Sequence, residues 1–186
     1  MSDLNLQTRD GLPEALRVLL EAFPREVWEG HENFGQLVRF WLDRHMMFRE
    51  MTRRMLADTE GFIDGTAEFE RYAPRLSRLG GSFLNQLHGH HQIEDMHYFP
   101  QLVGIDARIE RGFDMLETDH QLIDPMLNRF ADKANVLLTA DTSDGRRDGA
   151  GAFHEELTGF AGLLERHLTD EEDIIVPVIL KSGFDG

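Results

Sequence analysis

The chain has 186 residues with a formal net charge of -15, 41% hydrophobic and 28% charged, enough apolar material for one compact domain with its own core. It contains no cysteine, which excludes disulfides, thiolate metal sites, iron-sulfur clusters and cysteine nucleophiles, so any metal must be held by nitrogen and oxygen. The acidity argues against nucleic acid and anionic lipid surfaces as partners, because both reward clustered Lys and Arg, and it is compatible with multivalent cations.

The N-terminal stretch has no basic segment leading into an apolar run, and no stretch approaches the roughly 20 apolar residues that span a bilayer, so a soluble, cytoplasmic protein is expected. "LPEALRVLLEAFP" reads as a short amphipathic helix ended by Pro24, forming an N-terminal arm over residues 1–30. Four long helices then follow over 31–181, each with apolar residues at alternating three and four spacing. The first runs from about Asn33 to Asp58 with Phe34, Leu37, Trp41, His45, Phe48 and Met55 on its stripe. The second starts near Pro74 and carries Leu76, Leu79, Phe83, Leu87, His90, Glu94 and His97. On the third lie Ile109, Phe113, Leu116, His120, Ile123, Leu127, Phe130 and Ala134, and on the fourth Phe153, Leu157, Phe160, Leu164, His167, Glu171, Ile174 and Val178. "PQLVGID" and "TADTSDGRRDGAG" have the composition of connecting loops. The expected fold is therefore all-α, an up-down-up-down four-helix bundle with a short N-terminal helical arm, residues 1–186 forming a single domain.

Every stripe is interrupted by histidine, and two of them by His-x-x-x-Glu. Spacing of four puts both side chains on one helix face, with Cβ atoms roughly 6 Å apart. Antiparallel neighbours bring to one level those residues equally far from their connection. The midpoint of His45 and His90 falls between Gly61 and Ala73, and the other two pairings centre on Asp106 and on the third loop. One buried layer should thus contain His45, His90, Glu94, His120, His167 and Glu171. The chain also repeats itself: His90, Glu94 and Pro100 have the spacing of His167, Glu171 and Pro177, each set preceded by a single histidine, His45 and His120. Burying two carboxylates and four imidazoles together is costly unless they neutralise a cation. Imidazole and carboxylate suit iron, manganese or zinc.

Among the remaining polar residues, His97 is expected to orient Glu94 or to act as a seventh ligand. Asp95 and Tyr98 lie off the stripe, and Tyr98 reaches the site only if the helix rotates before Pro100. His88 and His91 point away from the seam by helical phase, His31 and His154 lie near helix starts, and Glu172 is a weaker alternative to Glu171.

The order His45, His90-x-x-x-Glu94, His120, His167-x-x-x-Glu171 resembles the signature of hemerythrin-like (HHE cation-binding) domains, over roughly residues 31–181. The resemblance implies a non-haem di-iron centre, two Fe ions with an oxo or hydroxo bridge, spanned by Glu94 and Glu171 with the four histidines as terminal ligands; zinc or manganese are alternatives. It implies a small diatomic ligand or peroxide as partner, O2, NO or peroxide being bound or sensed. The alternatives are a di-iron enzyme acting on peroxide or oxidising ferrous iron, and a structural metal-binding module. No protein partner is indicated. Oxygen-carrying hemerythrins have His-x-x-x-His on the third helix, where this chain has His120 and Asp124, so a water, Asp124 or another side chain is expected in the vacant place.

Overall fold

In a computed structural model of the chain, residues 4–186 are described, and the first three residues of the expected arm lie outside them. The fold is an all-α helical bundle with no strand among the described residues. After a 3-10 turn at Glu14–Leu16 come two short helices, α1 (Val18–Ala22) and α2 (Arg25–Trp28), then the long α3 (Gln36–Ile63) and α4 (Phe69–Ile93). A π-helical segment, Glu94–Tyr98, continues α4 into the short α5 (Phe99–Leu102). Two 3-10 turns lead to α6 (Glu110–Leu138), and α7 (Ser143–Ser182) closes the chain. Among the described residues, no helix is long and apolar enough to cross a membrane.

Most of the expected stripe residues are buried; Leu37, Leu79 and His90 are partly so and His97 is exposed. All eight stripe residues of α6 and all eight of α7 are buried, His120, His167 and Glu171 included. Each apolar member contributes about 1.5–3 kcal/mol on leaving water.

Two boundaries differ from expectation. Helix α4 begins five residues before Pro74, which forfeits only one backbone bond so close to the helix start. The expected third loop is largely helical: the Thr142 hydroxyl accepts the Gly145 N–H at 3.1 Å, and α7 runs on through "GRRDGAG". Gly149 is there for packing rather than for a turn, since a Cβ at that position would lie 3.0 Å from the Leu137 Cα.

The chain forms two compact units. One comprises Met47–Gly89 and Leu122–Gly162. Its core is aromatic, with the Phe83 ring set against Phe48, Phe130 and Phe160, and it holds a buried Tyr72 hydroxyl 2.8 Å from Thr59 Oγ1. The other comprises the chain up to Met46 with His90–Gln121 and Leu163–Gly186. Its core includes Leu16, Leu19, Trp28, Trp41, Phe113 and Ile175, so the N-terminal arm is part of it. Every residue of the expected metal layer lies in this second unit.

Candidate metal centre

Helix α3 supplies His45, the end of α4 supplies His90 and His91, the π-helical segment supplies Glu94, α6 supplies His120, and α7 supplies His167 and Glu171. They form two donor sets, His45, His90, Glu94 and Glu171 in one and His91, His120 and His167 in the other, with one atom per residue lying within 4.8 Å of the rest of its set. In the first set, His45 Nε2 is 3.1 Å from His90 Nε2 and 3.4 Å from Glu171 Oε1, and His90 Nε2 is 2.9 Å from Glu94 Oε1. In the second, the His91 and His120 rings stack with centroids 4.0 Å apart, and His167 meets both edge-on. The carboxylates reach both ways: Glu94 Oε2 is 3.7 Å from His120 Nε2, and Glu171 Oε2 is 3.4 Å from His167 Nε2. Each glutamate therefore presents one oxygen to each set.

The convergent atoms are short of hydrogen bonds. Both nitrogens of His91, Nε2 of His120 and His167, both Glu94 oxygens and Glu171 Oε2 are buried with no hydrogen-bond partner. Glu94 Oε1 lies close to His90, but without hydrogen-bond geometry. Buried polar atoms left this way cost about 1–3 kcal/mol each, and their convergence fits a cation taking one nitrogen from each imidazole and the carboxylate oxygens. The donors are all nitrogen and oxygen, which fits iron, manganese or zinc.

Away from the centre, three histidines turn their other nitrogen to an acid. His45 Nδ1 is 3.0 Å from Glu172 Oε1, His120 Nδ1 is 2.8 Å from Asp95 Oδ1, and His167 Nδ1 is 3.2 Å from Asp119 Oδ2. An Nδ1–H donating to a carboxylate fixes the tautomer with the Nε2 lone pair facing inward, the usual support of a metal-binding imidazole. Trp41 donates its indole N–H to Glu171 Oε1 at 2.5 Å and so fixes that carboxylate.

The family model of the hemerythrin HHE cation-binding domain matches residues 36–179. The chain belongs to this family. As a hemerythrin-family member it is a metal-binding protein of a kind that typically uses iron, and the histidine and glutamate clusters agree with that. No curated protein and no solved structure matches it.

The electrostatics of this hemerythrin-like centre favour the neutral, donor form of three of its imidazoles. Burial pushes His90 down to about 3, only partly opposed by Glu171. Burial, then His120 and His167, holds His91 well below the usual histidine range. His167 is lowered by burial, which outweighs Asp119. His45 goes the other way: burial lowers it, but Glu171 and Glu172 together raise it further. Burial, and then the Glu171 charge, holds Glu94 well above the carboxylate range. Burial also works against ionised Glu171, yet His45, His167 and His90 outweigh it and hold Glu171 well below that range.

The six expected residues come together, and a seventh joins them. His91 is buried in the second set instead of pointing away from the seam. The signal was present: His91 lies four residues after Leu87 and three before Glu94, as good a helical spacing as the one through His90. Asp124, one candidate for the vacant place, is half exposed and 3.5 Å from His88. His97 is exposed and neither orients Glu94 nor joins the centre. The π-helical turn that begins at Glu94 adds a residue to the turn, carrying His97 outward and Tyr98 inward onto Trp41, ring centroids 4.9 Å apart. Glu172 faces the far side of His45, His31 Nδ1 accepts the Asn33 N–H, and His154 pairs with Glu60, all away from the donor atoms.

Proposed function

We propose that the protein holds two irons, one between His45 and His90 and one among His91, His120 and His167, with Glu94 and Glu171 each giving an oxygen to both, and that it binds or senses O2, NO or peroxide. The observation that carries this reading is the pair of glutamates, each with one oxygen toward either histidine set. Bound iron supplies a redox-active centre able to take a small ligand directly. The residues set where that ligand enters. The first set has two histidines against three in the second, and His90 has 10% of its side chain exposed while those of His45 and His167 have none. A small molecule therefore reaches the two-histidine side, beside His90 and Trp41, whose rings meet edge-on at 6.2 Å. There the indole N–H keeps Glu171 Oε1 from swinging toward the entry.

Anaerobic loading with ferrous iron, followed by metal analysis and visible spectroscopy before and after air, peroxide or NO, tests the proposal. About two irons per chain and a new absorption band on ligand addition are expected for a carboxylate-bridged pair. Recovery of the ligand unchanged separates binding and sensing from the enzymatic alternatives, turnover of peroxide or oxidation of ferrous ion. A single zinc in the purified protein, with no iron uptake, would falsify the proposal and leave a structural metal site.

A further inference from the structure

Two arginines of the N-terminal segment, which precedes the matched residues 36–179, end on the acids that hold the histidines. Arg9 is buried, with its guanidinium on both oxygens of Asp119 and its Nε donating to Asp170 Oδ2 at 2.7 Å. Asp119 Oδ2 is also the partner of His167 Nδ1. Arg25 Nη1 donates to Glu172 Oε2 at 3.0 Å and its Nε to Asp173 Oδ1 at 2.8 Å, while Glu172 Oε1 faces His45 Nδ1. The arm thus makes two chains of the same form, Arg9–Asp119–His167 and Arg25–Glu172–His45. One ends in the three-histidine set and the other in the two-histidine set.

Physical chemistry gives these chains a consequence. A carboxylate that accepts an imidazole N–H pushes electron density toward the metal-facing nitrogen, and an arginine on the same carboxylate fixes its position and withdraws part of that density. Arg9 and Arg25 are also the groups that offset the charge of Asp119 and Glu172 in a buried, acidic region, where an uncompensated carboxylate is costly. Only their own segment carries them there: undocking the arm removes both at once.

We propose that residues 4–28 form a strap that positions both halves of the centre through Arg9 and Arg25, so that docking of the arm and occupancy of the metal sites are coupled; this rests on the metal reading above. Linkage makes the coupling reciprocal: whatever factor the docked arm adds to metal affinity, metal returns to arm docking. The strap gives the protein a way to report the state of its centre, through a segment other than the one holding the ligands.

Anaerobic ferrous titration of wild type, Arg9→Gln, Arg25→Gln, Arg25→Lys and Arg17→Gln tests this, together with hydrogen exchange of the arm amides with and without ferrous ion. Arg17 is the control, because its Nε donates to Leu12 O within the arm and it has no part in either chain. Loss of a group bonded directly to a ligand costs roughly 10–100-fold in metal affinity, and the arginines act one residue further out, so a loss of up to about 10-fold is expected for Arg9→Gln and Arg25→Gln, with partial recovery in Arg25→Lys and none lost in Arg17→Gln. Ferrous ion should slow exchange at the Glu21, Phe23 and Val27 amides, bonded to Arg17, Leu19 and Pro24 carbonyls, by a similar factor, and Arg25→Gln should erase that slowing. Should Arg9→Gln fail to fold, Arg25 carries the test, its side chain being 43% exposed. Glutamine variants that bind ferrous ion like wild type, or an Arg17→Gln loss as large as that of Arg25→Gln, overturn the strap while leaving the centre intact. Wild-type protein that takes up no ferrous ion overturns the metal reading and the strap with it.

Discussion

Replacing His91 by leucine should have opposite effects on the metal-free and the loaded protein. His91 is 3% exposed, and neither ring nitrogen has a hydrogen-bond partner. A neutral imidazole has one donor and one acceptor, so two buried polar atoms go unsatisfied, at a cost of about 1–3 kcal/mol each. Leucine removes both. It also gives up the stack on His120 and changes shape, for which about 1.5 kcal/mol is a fair upper figure in volume-conserving swaps. The metal-free variant should therefore be about 1–4 kcal/mol more stable than wild type, a rise in melting temperature of at least about 2 °C for a chain of this size. Its three-histidine set drops to His120 and His167, one imidazole fewer, so ferrous affinity there, and the metal retained after dialysis, should fall. Urea unfolding of chelator-treated protein measures the first quantity and metal analysis the second. A variant that is less stable without metal, yet still binds two irons with wild-type affinity, would show His91 to be an ordinary core residue and refute the reasoning.

Three further outcomes follow from the geometry. Tyr72 is pushed up to about 12, mainly by burial, so the unfolded chain loses this proton first and stability should fall as pH rises from about 10 to 12; Tyr72→Phe should cost about 1 kcal/mol at pH 7 and remove that decline, measured by urea midpoints across the range. Burial lowers His90 to about 3, so the unfolded state binds this proton first and the metal-free chain loses stability as pH falls from about 6.5 toward 3; in the metal-free state His90→Phe should lose less than wild type over that window, and equal slopes would contradict the assignment. Gly149→Ala should destabilise by about 1–2 kcal/mol because its Cβ meets the Leu137 backbone, whereas Gly162→Ala, with open space around it, should gain about 0.5–1 kcal/mol from helix propensity; thermal melts of the two variants check the contrast.

The long periodic stripes were legible in the sequence because a fixed spacing of polar interruptions along four amphipathic helices permits only one alignment of their levels. His45, Glu94, His120, His167 and Glu171 were found that way, and each is buried. His91 was not, for a reason of phase. An α-helix turns about 100° per residue, so His90 and His91 cannot both lie on a narrow stripe, and spacing through Leu87 and Glu94 admits either. What the spacing hides is that the site seam is wide enough for both. The π-helical turn compounds the difficulty, since it begins at Glu94 and rephases everything after it, sending His97 out and Tyr98 in. No side-chain pattern in "EDMHY" announces such a turn.

The acids around the histidines were illegible for a different reason. Asp119 and Glu172 sit beside His120 and Glu171 in sequence, yet each serves a histidine on another helix, His167 and His45. A helix neighbour one position away points about 100° aside, into the groove toward the adjacent helix, which is where the outer nitrogen of that helix's histidine lies. Adjacency in sequence therefore becomes support across helices: the residue next to a donor on α6 or α7 holds a histidine of another helix. That rule turns "DH" at 119–120 and "EE" at 171–172 from redundant charge into a cross-braced pair. Five acids at and around the centre, Glu94, Asp119, Asp170, Glu171 and Glu172, are buried in a chain that already carries a large negative charge. Two of them face the donor centre, and the other three are met by arginines from a segment that periodicity alone assigned to a short amphipathic arm.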